Sequence, residues 1–227
     1  MNFGEIKNEI LKRINRRDLD ASYLSNIVNE AIEFIDRLSL WFFEEKVNVI
    51  NINGENYVLE YDIIVNKIKS IKKIYYNLTS SQTTFLSLLP VSSIDEAIML
   101  IGVYNTSGAV PQIKNKLFGG FYYIEAGKIK SYPQILTNVY NLYLNFFTYL
   151  NRLSFDNDTN YLTNYYPSLI INYALSKIYR DYEVYDVAEE YKKAFEDELK
   201  GLYFTNISIY KEVNPNELFR TTTENNK

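Results

Sequence analysis

The hydrophobic period of this chain changes twice, from 3.6 to 2 and back, so helices should flank a β-rich middle. Phe3, Ile6, Ile10 and Ile14 recur at spacings of three and four, which predicts a first helix over residues 3–16. Leu24, Ile27, Val28, Ala31, Ile32, Ile35 and Leu38 form a longer seam with the same period. That seam predicts a second helix over 21–38, with Asp20 as its N-cap, packed on the first as a helical hairpin. Lys12, Arg13, Arg16 and Arg17 crowd the end of the first helix, where cations suit the dipole.

Alternation then replaces the helical period. Segments 46–52 and 55–61 are β-rich and flank Asn53-Gly54, a strong hairpin signal. Segment 67–76 carries lysines at 67, 69, 72 and 73 and reads as a half-exposed edge strand. Ser93 and Glu96 predict a capped helix over 92–100. The glycines and proline of 102–120 predict a long loop. Segments 121–124 and 129–132 flank Glu125-Ala126-Gly127-Lys128 as a second hairpin, and 139–148 reads as the last strand.

The 3.6 period returns over about 166–182, through Leu169, Ile170, Tyr173, Ala174 and Ile178. It continues over about 184–202, with Ala188, Tyr191, Phe195, Leu199 and Leu202 inward. Residues 202–210 read as a short strand or extended arm, and 211–227 as a polar tail. The expected fold class is therefore α+β. N- and C-terminal helix pairs (3–38 and 166–202) pack as a bundle, and an antiparallel section of hairpins (46–148) is inserted between them.

Composition limits the chemistry. The 227 residues include no cysteine and no histidine. Disulfides, thiolate metal sites, cysteine nucleophiles and the commonest general base are thereby excluded. A net charge of -4 argues against a protein that coats nucleic acid. The 22 tyrosines and 13 phenylalanines point instead towards assembly, because half-buried aromatics often complete their burial at an interface. The N-terminus lacks the apolar core of a signal peptide, and no apolar run is long enough to cross a bilayer. A chain made in the cytoplasm that stays soluble or joins an assembly is expected.

The stretch Phe155-Asp-Asn-Asp-Thr-Asn-Tyr-Leu162 raises the sharpest chemical question. Asp156, Asp158 and Asn160 alternate as calcium-loop ligands do, but Tyr161 stands where that loop needs Gly and Pro167 where it needs a bidentate Glu. Asp156 and Asp158 as an acid–base pair would need a cleft and further polar partners, and no second acidic motif supplies them. Aspartate and asparagine in turns usually bond their own backbone. There is no phosphate loop and no serine elbow. No catalytic residue, no metal site and no cofactor is expected, and the chain is read as not an enzyme. The three polar side chains should bond main chain near the start of the following helix.

Residues 142–199 resemble the tailed-phage head-to-tail adaptor proteins, also called connector or neck-ring proteins. The likeness rests on a turn formed by Leu153, Ser154, Asp156, Asp158, Thr159 and Asn160, and on a helix entry at Leu162, Tyr166, Pro167 and Leu169. A closing ridge follows at Tyr191, Phe195 and Leu199. The opening helix pair, with its Asn15–Leu19 junction, and the segment 121–133 are similar too. The resemblance implies a structural virion protein at the head–tail joint, with 1–201 as one adaptor domain and 202–227 as an arm ordered only in the assembly. It implies a ring, usually of twelve copies, that binds below the portal, extends the DNA channel and docks the tail. Implied partners are further copies of the chain, the portal protein, tail or neck proteins and passing genomic DNA, with no membrane. Another ring or tail component of the virion, such as a tail hub, and a carbohydrate-binding or carboxylate-based hydrolytic protein are the alternatives.

Overall fold

A computed structural model describes residues 1–15, 19–78, 85–105, 112–113 and 116–213. Arg16, Arg17 and most of the Asn15–Leu19 junction lie outside these residues, as do 214–227 and part of the expected 102–120 loop. The chain divides into two compact units, one from residues 1–43 together with the chain from Leu150 onward, the other from Glu44–Tyr149.

The first unit is helical. Helix α1 spans Phe3–Ile14 and α2 spans Ala21–Leu38. Beyond the other unit come α4 (Tyr161–Tyr165), α5 (Pro167–Asp181) and α6 (Tyr185–Val213), with α3 lying in the second unit. The apolar stripes of α1, α2, α5 and α6 converge on one core that includes Ile6, Ile10, Val28, Ile32, Leu169 and Ile178. Trp41 is fully buried in it. Pro167 stands at the first position of α5, which separates that helix from α4. The segment 202–210 is helix, not a strand or an extended stretch. The inward period of α6 continues through buried Leu202 and Asn206, so packing carries the helix on. The Asn206 amide accepts from the Phe42 N–H at 2.8 Å and donates to the Leu40 carbonyl at 3.1 Å. The Tyr203 hydroxyl donates to the Leu38 carbonyl at 3.2 Å, so α6 closes the C-terminal end of α2.

The second unit contains β1 (Glu45–Asp62), β2 (Ile68–Asn77), β3 (Phe85–Pro90), α3 (Ile94–Asn105), β4 (Gln112–Ile113), β5 (Lys116–Glu125) and β6 (Lys128–Thr148). The strand order is β1-β6-β2-β3-β5-β4, and β6 also pairs with β5. One side of β6 faces β1 along its length. Its other side faces β5 near Lys128–Tyr132 and β2 near Asn141–Thr148. The circuit β6–β2–β3–β5–β6 therefore closes into a small barrel. Its interior is filled by residues such as Leu59, Ile74, Leu88, Ile129, Leu142 and Leu144.

This overturns the expected plan of terminal helix pairs around antiparallel hairpins. The chain is α+β, but its middle is a closed, mixed sheet flanked by helices, with β3 and β5 running parallel and α3 between them. Asn53-Gly54 is not a hairpin turn. The left-handed residues Asn53 (φ 59°) and Gly54 (φ 86°) fall inside β1, in a bulge between Asn51 and Glu55, and β1 runs on along β6. The same backbone freedom that suits a hairpin also suits a bulge. Ala126 (φ 51°) and Gly127 (φ 75°) do form a two-residue turn, joining β5 to β6.

Segment 68–77 is an inner strand between β6 and β3, not an edge. Two of its lysines are accommodated by Lys69–Glu44 at 2.9 Å and Lys72–Glu45 at 2.8 Å, and Lys73 lies over the Tyr75 ring. The expected long loop at 102–120 instead begins as helix to Asn105 and ends as strand from Lys116.

Candidate functional site

The turn at 154–160 joins an extended segment to the helices of the first unit. The Asp158 carboxylate accepts from the N–H groups of Ser154 (2.7 Å) and Phe155 (2.8 Å), which closes the turn on itself. These two bonds hold Asp158 below the ordinary aspartate range. Asn160 caps α4: its side chain accepts from the Thr163 N–H at 2.9 Å, and the Thr163 hydroxyl accepts from the Asn160 N–H at 2.9 Å. Asp156 behaves differently, because its carboxylate meets the Lys7 ammonium at 2.7 Å.

The turn also receives the start of α1. The carbonyls of Asp158 and Asp156 accept from the N–H groups of Phe3 (3.0 Å) and Gly4 (2.9 Å). Asn2 completes the cap: its side chain accepts from the Glu5 N–H at 2.8 Å, and its own N–H donates to the Glu5 carboxylate at 2.9 Å. All four free N–H groups at the head of α1 are thus satisfied, two of them by residues more than 150 positions away. A β-carbon on Gly4 would come within 2.9 Å of the Asp156 β-carbon, so only glycine allows this approach. The amino group of Met1 adds a bond to the Thr163 carbonyl at 3.0 Å.

The other motif residues sit as follows. Leu153 is buried, while Ser154 and Thr159 are exposed. Tyr166 and Pro167 mark the break between α4 and α5. Tyr191, Phe195 and Leu199 pack along α6 away from the turn. Tyr191 stacks on Tyr179 at 5.7 Å, and Phe195 meets Tyr173 and Phe34. The motif is therefore two structures, a corner and a helix ridge.

Sequence reasoning missed what holds the segment leading into the corner. Asn29 of α2 is buried, donates to the Leu153 carbonyl at 3.0 Å and accepts from the Leu153 N–H at 2.8 Å. Asp36, seven residues on, accepts from the Leu150 N–H at 3.3 Å. Two polar residues one heptad apart on an otherwise apolar seam were the available signal. Asn29→Ala leaves both Leu153 backbone groups unmatched. It is expected to cost about 1–3 kcal/mol in urea unfolding, with Asn29→Asp intermediate because it keeps only the acceptor.

Asp158 gives a pH prediction. Its carboxyl titrates lower in the folded chain than in the unfolded one, so its contribution is complete above the unfolded value of about 3.9 and disappears as pH falls through the lower folded value. Below that range the Asp158→Ala variant and the parent should converge in melting temperature, while at neutral pH the variant should melt lower. A constant gap across the whole acid range would contradict this role.

Among the described residues, no three acidic side chains converge as a metal-binding group. No helix among them is long and apolar enough to cross a membrane. The corner employs Asp158 on main chain and Asp156 on an ammonium, so both aspartates have structural work.

The family model described as SU10 adaptor protein matches residues 1–214. The chain belongs to the SU10 adaptor protein family. No curated protein matches it. The family is one of phage structural adaptors, which is not an enzyme class, and membership makes this chain a bacteriophage structural component that works with other head and tail proteins. The match spans the corner, both helix sets and the barrel, so the resemblance drawn from residues 142–199 and the opening helices extends along almost the whole chain.

Proposed function

We propose that this SU10-family chain assembles as a ring of twelve copies at the phage head–tail joint, below the portal. There it extends the DNA channel and gives the tail or a further neck protein its docking surface. In this reading residues 1–201 are the adaptor and 202–227 its arm, the first part of which is the helical end of α6.

The observation that carries the proposal is the family match over 1–214. The surface supports it. In the helical unit Phe155, Tyr165 and Phe204 are 75%, 67% and 69% exposed. In the barrel unit Val47, Val49 and Val58 of β1 are about half exposed, on the strand that ends the sheet order. Large apolar side chains at such exposure suit contacts that a neighbouring subunit covers, and ring symmetry repeats each contact at every subunit. A net charge of -4 suits a channel through which DNA moves without binding.

Native mass spectrometry of the purified chain, alone and mixed with the portal of the same phage, tests this. The proposal expects a closed oligomer of the chain, alone or on the portal. A chain that stays monomeric in both mixtures contradicts it. Binding to a tail tube or baseplate component in place of the portal would move it to another part of the virion.

A further inference from the structure

Two bulges adjoin in the pairing of β1 with β6. On β1 the register shifts between Asn51 and Glu55, and Ile52, Asn53 and Gly54 have no paired residue on β6. On β6 Asn138 (φ 55°) stands next to Val139, the partner of Glu55, and its N–H donates to the Asn56 side chain at 3.3 Å. Asn53 (φ 59°) and Asn138 thus share a left-handed backbone, and both are exposed. They differ in the residue that follows. Gly54 is exposed, and a β-carbon there would meet nothing within 4 Å. Val139 is fully buried in the barrel core.

That difference is chemical as well as structural. An asparagine side chain is an amide whose Cγ can be reached by the next residue's main-chain nitrogen. Attack at Asn53 forms a bond from the Gly54 nitrogen to Cγ and breaks the bond from Cγ to Nδ2. Ammonia leaves, carrying the proton that the Gly54 nitrogen gives up, and a cyclic imide remains. Water then opens the imide at either carbonyl. One opening leaves aspartate. The other leaves isoaspartate, in which the main chain runs through the former side chain and gains a methylene.

Closure of the imide needs rotation about the Asn53 Cα–C bond, so the next residue must swing. A β-carbon hinders that swing and screens the nitrogen, and glycine has none. Exposure admits water and hydroxide and leaves no packing to oppose the movement. At Asn138 the same rotation would pull Val139 out of the core, against the burial of its side chain. Asn53-Gly54 is also the one Asn-Gly step in the chain.

We infer that Asn53 is a self-modification site, which deamidates in the folded chain through a cyclic imide with Gly54 and then water. Each event adds one negative charge to the net -4, two positions from Glu55, on the strand that ends the sheet order. The methylene of isoaspartate enters a bulge that already holds unpaired residues, so the ladder on either side of it keeps its register. The inference stands on the barrel unit alone and is independent of the ring.

Peptide mapping by mass spectrometry tests it on the full chain held at mildly alkaline pH and sampled over days. Electron-transfer fragmentation separates isoaspartate from aspartate, and circular dichroism checks that the sample stays folded. Asn53 should lose its amide first, faster as pH rises because the attacking nitrogen must give up its proton. Asn138 should still be amide when Asn53 is half converted. At that time Gly54→Ala should hold most of its Asn53 as amide. A portion kept in urea supplies the rate without the fold. Conversion of Asn53 in urea only, conversion no faster than at Asn138 in the folded chain, or an unchanged rate in Gly54→Ala overturns the assignment.

Discussion

Replacing Trp41 with alanine is expected to cost the helical unit about 3–5 kcal/mol, the largest loss from any single side chain in this account. Trp41 is fully buried where the chain leaves α2. Its indole N–H donates to the Ile35 carbonyl at 2.8 Å, satisfying one of the last four carbonyls of that helix. Its ring lies parallel to Phe43 at 6.0 Å and tilts against Tyr203 at 4.9 Å. Alanine removes a large apolar volume and leaves a buried carbonyl without its donor. Trp41→Phe restores much of the volume but not the bond, so it should lose clearly less. Urea unfolding followed by circular dichroism measures both variants. In the parent the sole tryptophan reports the same transition by fluorescence. Equal midpoints for the alanine variant and the parent would contradict the packing described.

The second large effect is expected at Gly120, where the barrel closes. Gly120 has φ 132°, a region that side-chain-bearing residues rarely occupy. A β-carbon there would sit 2.6 Å from the Tyr132 carbonyl oxygen and 3.1 Å from Pro133, on the strand that completes the circuit. Neither neighbour is the free end of a flexible side chain. Gly120→Ala combines backbone strain with a backbone clash and is expected to destabilise by about 2–4 kcal/mol. Gly54 is the control. Its β-carbon would meet nothing within 4 Å, so Gly54→Ala carries the conformational cost of a positive φ alone and should lose less. Thermal melting of the two variants side by side settles the order. A Gly54 loss equal to or above the Gly120 loss would show that the close approach is not what glycine serves at Gly120.

What was legible in the sequence was local. The seams of α1 and α2 showed because one face of each meets a single core, and burial on one face leaves a 3.6-residue period. The Asp158 and Asn160 bonds were legible because short polar side chains in turns reach nearby main chain. The barrel was not legible, because closure depends on β6 pairing with three strands, and no local pattern records three partners. Asn53-Gly54 misled for a physical reason: positive φ serves a bulge as well as a turn, and only the partner strand decides between them. Lys69 and Lys72 of β2 misled because their charges are met by Glu44 and Glu45, more than twenty residues away. The continuation of α6 past residue 202 was hidden by β-branched and aromatic residues, whose weak helix propensity is overridden by Leu202 and Asn206 packing inward.

The corner joins these observations to function. Asp156 and Asp158 receive the head of α1 through their carbonyls, so the first helix, α4 and the segment held by Asn29 are fixed at one place. Such a junction sets the geometry at the head of the helical unit.

The most direct measurement of the central claim is electron cryomicroscopy of the intact particle carrying this chain, at a resolution that traces α5 and α6. The account predicts a ring of this chain between portal and tail, encircling the DNA path. Density for the chain at any other position in the particle, or in single copy at the joint, would contradict it.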